Sequence, residues 1–134
     1  MEDVDYECRD YAKDVARLYR QINETKTLAV NIRYVDDFVS YLRARGLATA
    51  TIAKHLNGLK IFFGALNPKV DLKKATREEV MEAMGKIESG AYSPHTKHHF
   101  RATVKFMCKQ LQKCELGYYT NQHHEHGALG VHRF

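Results

Sequence analysis

Apolar residues recur at steps of four and three along most of the chain, which is the spacing of one buried face of an amphipathic α-helix. Five such rows cover residues 4–22, 28–42, 52–66, 80–87 and 100–114. No stretch shows a convincing strand alternation. The pattern therefore predicts an all-α protein, a small helical bundle whose interior takes one apolar row from each helix.

Capping signals are expected to bound the second and third helices. Thr27 and Thr49 each precede an apolar row and are the predicted N-caps. Gly46 is suited to a left-handed stop after the second helix, and the dipeptide "NP" at residues 67–68 breaks the chain after the third. These breaks come too soon for a long coiled coil.

The last two helices carry stronger signals. Thr76 followed by Glu79 is a capping box, and Ser89–Gly90 should close that helix. The fifth helix is predicted to begin at Ser93, with Pro94 in the first helical position.

Other residues are expected to extend the core or to stay outside it. Phe38, Phe62 and Tyr92 should join the core, and the connection "NPKVDLKKA" at residues 67–75 should tuck its Val70 and Leu72 against the bundle. The tail from Leu116 shows neither period and is predicted to be loosely ordered.

Composition places the chain among single-domain globular proteins. Its 134 residues are 44% hydrophobic and 28% charged, with a formal net charge of +5. No apolar run approaches the roughly 18 residues of a membrane span, and the acidic start "MEDVDYECRD" is unlike a signal peptide. We therefore expect a cytoplasmic protein without a membrane partner. The odd number of cysteines, Cys8, Cys108 and Cys114, favours reduced thiols.

Charge is segregated along this predicted bundle. Residues 47–66 contain lysine and histidine, residues 93–113 contain lysine, arginine and histidine, and neither segment contains a carboxylate, whereas acids gather in residues 2–14 and 78–88. A helix that needs only solubility usually mixes signs, because like charges four residues apart repel each other. A cationic face can also be solvated without any partner.

The two basic helices also open with small hydroxyl residues, "TAT" at 49–51 and "SPHT" at 93–96. Exposed amides and hydroxyls at a helix start suit phosphate oxygens, and neighbouring cations can reach phosphates or base edges. We therefore expect a double-stranded DNA ligand and no cofactor. The candidate DNA-binding residues are Thr49, Thr51, Lys54, His55, Ser93, His95, Thr96, Lys97, His98, Arg101 and Lys105.

Four segments of the chain together resemble a known family. They are "YLRARG", "ATATIAKHLNGLKIFF", "DLKKATREEVMEAM" and "YSPHTKHHFRATVKFMCKQL". They are similar to the SAM-like core-binding domain of tyrosine recombinases, the phage integrase family. Within that family they most resemble archaeal integrases. In that family the domain forms half of a clamp around the recombination site, and a separate domain breaks and rejoins DNA.

The resemblance implies a domain organisation and a set of partners. Residues 26–115 would form the core-binding domain, residues 1–25 an additional helix and residues 116–134 a tail. Recombinase protomers or the catalytic domain would be the protein partners, and the location would be the nucleoid. No residue is expected to be catalytic. Tyr118, Tyr119, His132 and Arg133 are of suitable types, but so short a tail cannot build the pocket that orients a nucleophile.

Two alternatives stay open beside DNA binding. Cys108 and Cys114 with His123, His124 and His126 are metal-ligand types, but two cysteines six apart on a helix point about 120° apart. No metal site is therefore expected, apart from adventitious binding by the tail. The second alternative is a helical protein-interaction module whose acidic first helix and basic last helix each dock a partner.

Overall fold

The computed structural model of the chain describes the backbone of residues 10–116 and the side chains of residues 10–112. In this range the chain forms helices α1 (Tyr11–Asn23), α2 (Ala29–Ala44), α3 (Thr49–Ala65), α4 (Arg77–Glu88) and α5 (Pro94–Leu116), with a short 3₁₀ helix at Leu72–Lys74 between α3 and α4. No strand occurs in the described range, so the predicted all-α bundle is confirmed there. Three predictions lie outside the described residues. They concern residues 4–9 of the first apolar row, the side chain of Cys114 and the tail.

Helix α3 lies at the centre of the bundle and packs against α1, α2, α4 and α5. Its apolar residues face more than one neighbour, because Ala53 and Phe62 are buried in addition to the row of Ile52, Leu56, Leu59 and Phe63. Every other helix contributes one buried row, as the spacing of apolar residues predicts. The core therefore consists of one continuous cluster around α3.

Two of the predicted N-caps are wrong. Helix α2 begins after Leu28, and the Thr27 hydroxyl instead accepts a hydrogen bond from Asn31 Nδ2 at 2.8 Å. Helix α3 begins at Thr49 itself, after Ala48. The preceding turn accounts for the second shift, since Gly46 has φ 84° and both it and Leu47 donate to carbonyls of the last turn of α2. This Schellman arrangement leaves only Ala48 between the turn and the helix.

The remaining helix signals are confirmed. The hydroxyl of Thr76 accepts from the amide of Glu79 at 3.1 Å, and the Glu79 carboxylate accepts from the amide of Thr76 at 2.8 Å. Ser89 is the C-cap of α4. Pro94 is the first residue of α5, with the Ser93 hydroxyl accepting from the amide of Thr96 at 3.1 Å.

Of the residues predicted to extend the core, all but one are buried, whereas Tyr11, Leu28 and Ile32 of the predicted apolar rows are only partly buried. Phe38, Phe62, Val70 and Leu72 are buried as predicted. Tyr92 is 38% exposed, because it lies on the short turn before α5 and reaches only the surface of the bundle. Its ring contacts Phe100 edge-on, with centroids 5.1 Å apart.

A buried asparagine holds the connection between α3 and α4. The Asn31 side chain is completely buried, donates to the carbonyl of Val70 at 2.8 Å and accepts from the amide of Leu72 at 2.9 Å. Both backbone groups belong to the connection 67–75, and neither makes one of the described backbone–backbone hydrogen bonds there. This side chain therefore fixes the segment against α2.

Substitution Asn31→Ala should lower the free energy of unfolding by about 2–4 kcal/mol, because it leaves a buried carbonyl and a buried amide without partners. Urea denaturation followed by circular dichroism measures the change. The control is Asn57→Ala, at an exposed position of α3, which should change stability by less than about 0.5 kcal/mol. Equal losses for the two variants would contradict the role assigned to Asn31.

Candidate nucleic-acid interface

Helices α3 and α5 approach each other closely near their amino-terminal halves. A Cβ atom added at Gly58 would lie 3.3 Å from Phe100 Cδ1 and 3.6 Å from Thr103 Cβ. One turn earlier, His55 Nδ1 lies 2.9 Å from Thr103 Oγ1. The glycine permits this approach, and the hydrogen bond fixes the rotation of α5 about its axis. Residues from the first turns of both basic helices, Ala50, His95 and Thr96, line one groove.

One flank of α5 borders a groove shared with α1 and α3, which we call the front groove. Its volume is about 450 Å³. Lys54, His95, Thr96 and His99 line it from α3 and α5. Helix α1 contributes Tyr11 to the groove, and α3 also contributes Asn57. On the α1 side, Asp14 and Arg17 form an ion pair at 3.0 Å.

The other flank of α5 borders a groove against α4, which we call the side groove. Its volume is about 510 Å³, and its lining comprises Met81, Met84, Gly85, Glu88, His98, Arg101, Ala102 and Lys105. Glu88 holds two cations of α5 here. Its carboxylate pairs with Arg101, and its backbone carbonyl accepts from Lys97 Nζ at 2.6 Å.

Between the grooves, α5 presents a crest of exposed cationic and imidazole side chains. We call this crest the basic ridge, and it comprises His95, His98, Arg101, Lys105 and Lys109. Arg101 is the one member of the ridge in a described ion pair. Lys105 and Lys109 make no hydrogen bond or ion pair with another residue in the described range. The ridge therefore keeps most of its charge directed to solvent.

The sequence-predicted candidates divide into three groups in the structure. Thr49, Thr51 and Lys54 are exposed on the first turns of α3, and Lys54 lines the front groove with the start of α5. His95, His98, Arg101 and Lys105 lie on the basic ridge. The others have internal partners: Ser93 caps α5 and donates to the Thr96 hydroxyl at 2.9 Å, Lys97 is bound to Glu88, and His55 is half-buried.

Some residues of this surface were not among the predicted candidates. Lys109 continues the row of cations four apart, so its spacing was a usable signal. Tyr11, Arg17 and Asn57 enter the front groove only because α1 packs alongside α3, and no local pattern indicates that neighbour. Arg45 lies over the ring of Tyr41 at 5.6 Å, a further cation at the end of α2.

The histidines at the α3–α5 contact are stacked. The rings of His55 and His99 have centroids 5.5 Å apart at 29°, and His99 Nε2 lies 3.2 Å from the carbonyl oxygen of Lys54. Burial lowers the pKa of His55 below its usual value of 6.5, and the charges of His99 and Lys54 lower it further. His55 is thus a neutral structural side chain between the helices near neutral pH.

Metal ligands do not converge among the described residues. No group of three or more histidine, cysteine, aspartate or glutamate side chains within residues 10–112 could hold a metal ion. Burial raises the pKa of the Cys108 thiol to about 12, so this side chain is protonated at neutral pH. The histidines of the predicted tail lie outside the described residues.

Within the described range, none of the helices has both the length and the apolar character that crossing a membrane requires. Searches for similar proteins found no match among protein-family models, curated proteins or solved structures. The resemblance to tyrosine recombinases therefore stays a prediction that rests on the quoted segments.

The lowered pKa of His55 gives the stability of the bundle a pH dependence. The unfolded chain takes up the proton more readily than the folded one, so this contribution to stability is complete above about pH 6.5 and declines as pH falls below it. Substitution His55→Gln should reduce the loss of unfolding free energy between about pH 7.5 and about pH 5.5. Urea denaturation of the variant and the parent at the two pH values measures this loss of unfolding free energy.

The matched control for this prediction is His98→Gln, because His98 is an exposed histidine of α5 that lines the side groove and not the contact between α3 and α5. It should retain the pH dependence of the parent chain. If His55→Gln and the parent lose equal stability on acidification, His55 is not the titrating group.

Proposed function

We propose that the chain is a DNA-binding module that holds duplex DNA against the basic ridge of α5 and the first turns of α3. In this proposal it acts as the core-binding domain of a tyrosine recombinase or integrase, and clamps DNA at the recombination site. A catalytic domain and further protomers would be its protein partners, and the nucleoid its location. The module itself would carry no catalytic residue.

The observation that carries the proposal is the placement of charge. Lys54 of α3 lines the front groove together with His95 and Thr96 at the start of α5, so that a cation of one basic helix and the first turn of the other share one surface. The segments 38–70 and 89–114 contain no carboxylate at all. Phosphates of a duplex are bound by cations, hydroxyls and amides of this kind, and such contacts position a protein on DNA.

The shape of the surface also supports a duplex ligand. Helix α5 stands as a ridge with a groove on each flank, and an α-helix is the element that the major groove of B-DNA admits. His98, Arg101 and Lys105 lie on the ridge, where side chains could reach phosphates or base edges, while Lys54 lines the front groove from α3. Glu88 reduces the positive charge only on the α4 side of the ridge, through its ion pair with Arg101.

Charge reversal by Lys54→Glu with Lys105→Glu should weaken binding to a short duplex by about 100-fold at low salt, because two phosphate contacts become repulsive. For about four neutralised phosphates, log affinity in the parent should fall with log salt at a slope of about −3.6. In the double variant the magnitude of that slope should be smaller by about 2, because two phosphate contacts are lost. Fluorescence anisotropy with a labelled duplex measures both quantities.

The matched control is Lys69→Glu with Lys74→Glu, which changes net charge equally in the connection that Asn31 holds against α2. These lysines are exposed and outside both grooves, so DNA affinity should fall only slightly. If the two double variants lose affinity equally, net charge and not the ridge governs binding. Absence of duplex binding by the parent would refute the proposal.

A further inference from the structure

The side groove has an apolar floor that DNA binding does not use. Met81 is 43% exposed and is one of two large hydrophobic residues exposed in the described range. Beside it lie Met84 and Gly85. A Cβ atom added at Gly85 would meet no atom within 4 Å, so the backbone of α4 is open to close approach there. Ala102 completes the floor from the α5 side.

The spacing of these residues makes the groove a trough between two helix stripes. On α4, Met81, Gly85 and Glu88 follow one another at steps of four and three, and on α5, His98, Ala102 and Lys105 do the same. The smallest side chains are thus central on both walls. A trough of this form accepts the apolar face of a third helix, and methionine adapts readily to such a partner.

Charge on the walls selects the kind of helix. Three side chains of the α5 wall can carry positive charge, His98, Arg101 and Lys105. Glu88 is the one acid in the lining, and it is already paired with Arg101. The α5 wall therefore has an excess of positive charge that a carboxylate on the bound helix would offset.

We infer that the side groove binds an amphipathic helix of a partner protein, with its apolar row on Met81 and Ala102 and its acidic edge against the wall of α5. This interaction goes beyond DNA binding and does not depend on it, because the floor is uncharged. Because the acidic helix and the duplex would both contact Arg101 and Lys105, the two ligands compete, and a bound acidic helix excludes the duplex.

The test uses two synthetic helical peptides with the same row of leucines, one with glutamates along one edge and one with lysines in their place. The chain is labelled at its methionine methyl groups and titrated with each peptide by NMR. The acidic peptide should shift the Met81 and Met84 methyl signals and bind at least about tenfold more tightly than the lysine peptide.

Substitution Met81→Glu should abolish binding of the acidic peptide, while Met81→Leu should keep it. Gly85→Gln provides a second obstruction of the floor at a position with open space for a side chain, and should also abolish binding. Each variant is checked by thermal unfolding. In Gly85→Gln, which adds no charge, duplex binding should equal that of the parent if the DNA proposal holds, so the two proposals fail separately.

Equal affinity for both peptides would overturn the inference, as would acidic-peptide binding that leaves the Met81 and Met84 signals unchanged. Concentration-dependent self-association that Met81→Glu removes would show that a second copy of the chain covers this groove, which also overturns it.

Discussion

The close contact of α5 with α3 is the constraint on which the rest of the arrangement depends. At Gly58 the absence of a side chain lets Phe100 and Thr103 reach the backbone of α3, and Thr103, which is completely buried, has its hydroxyl satisfied by His55. An unsatisfied buried hydroxyl would cost about 1–3 kcal/mol, so other rotations of α5 are disfavoured. With this rotation fixed, the ring of His99 stacks on His55 and the cations on the opposite side of α5 face solvent.

The fixed rotation also gives α5 two different flanks. Towards α1 and α3 lies a mixed polar groove with Lys54 and the Asp14–Arg17 pair, and towards α4 lies a trough with an apolar floor. Glu88 occupies the boundary on the α4 side and binds Lys97 and Arg101, which limits how far these two side chains can extend. The cations best placed for a polyanion are consequently those without such a partner, Lys54 and Lys105 above all.

Much of the fold could be predicted from the sequence, because apolar spacing and local capping are properties of short segments. The capping box at Thr76, the left-handed Gly46 and the buried rows illustrate this. Thr27 could not be assigned correctly, since its hydroxyl bonds to Asn31 as part of a cluster that includes a distant backbone segment. The cationic face of α5 was likewise visible in the spacing, but the inward position of His55 and the capture of Lys97 by Glu88 depend on which helices become neighbours.

Mapping backbone amide resonances during titration with a short DNA duplex tests most directly whether the ridge set by this contact receives the nucleic acid. We expect the largest shifts at residues 49–55 and 95–109, and little change along the outer face of α4, where Glu78 and Glu82 are exposed. Shifts centred on α4 or on the connection 67–75, with the ridge unchanged, would contradict the account.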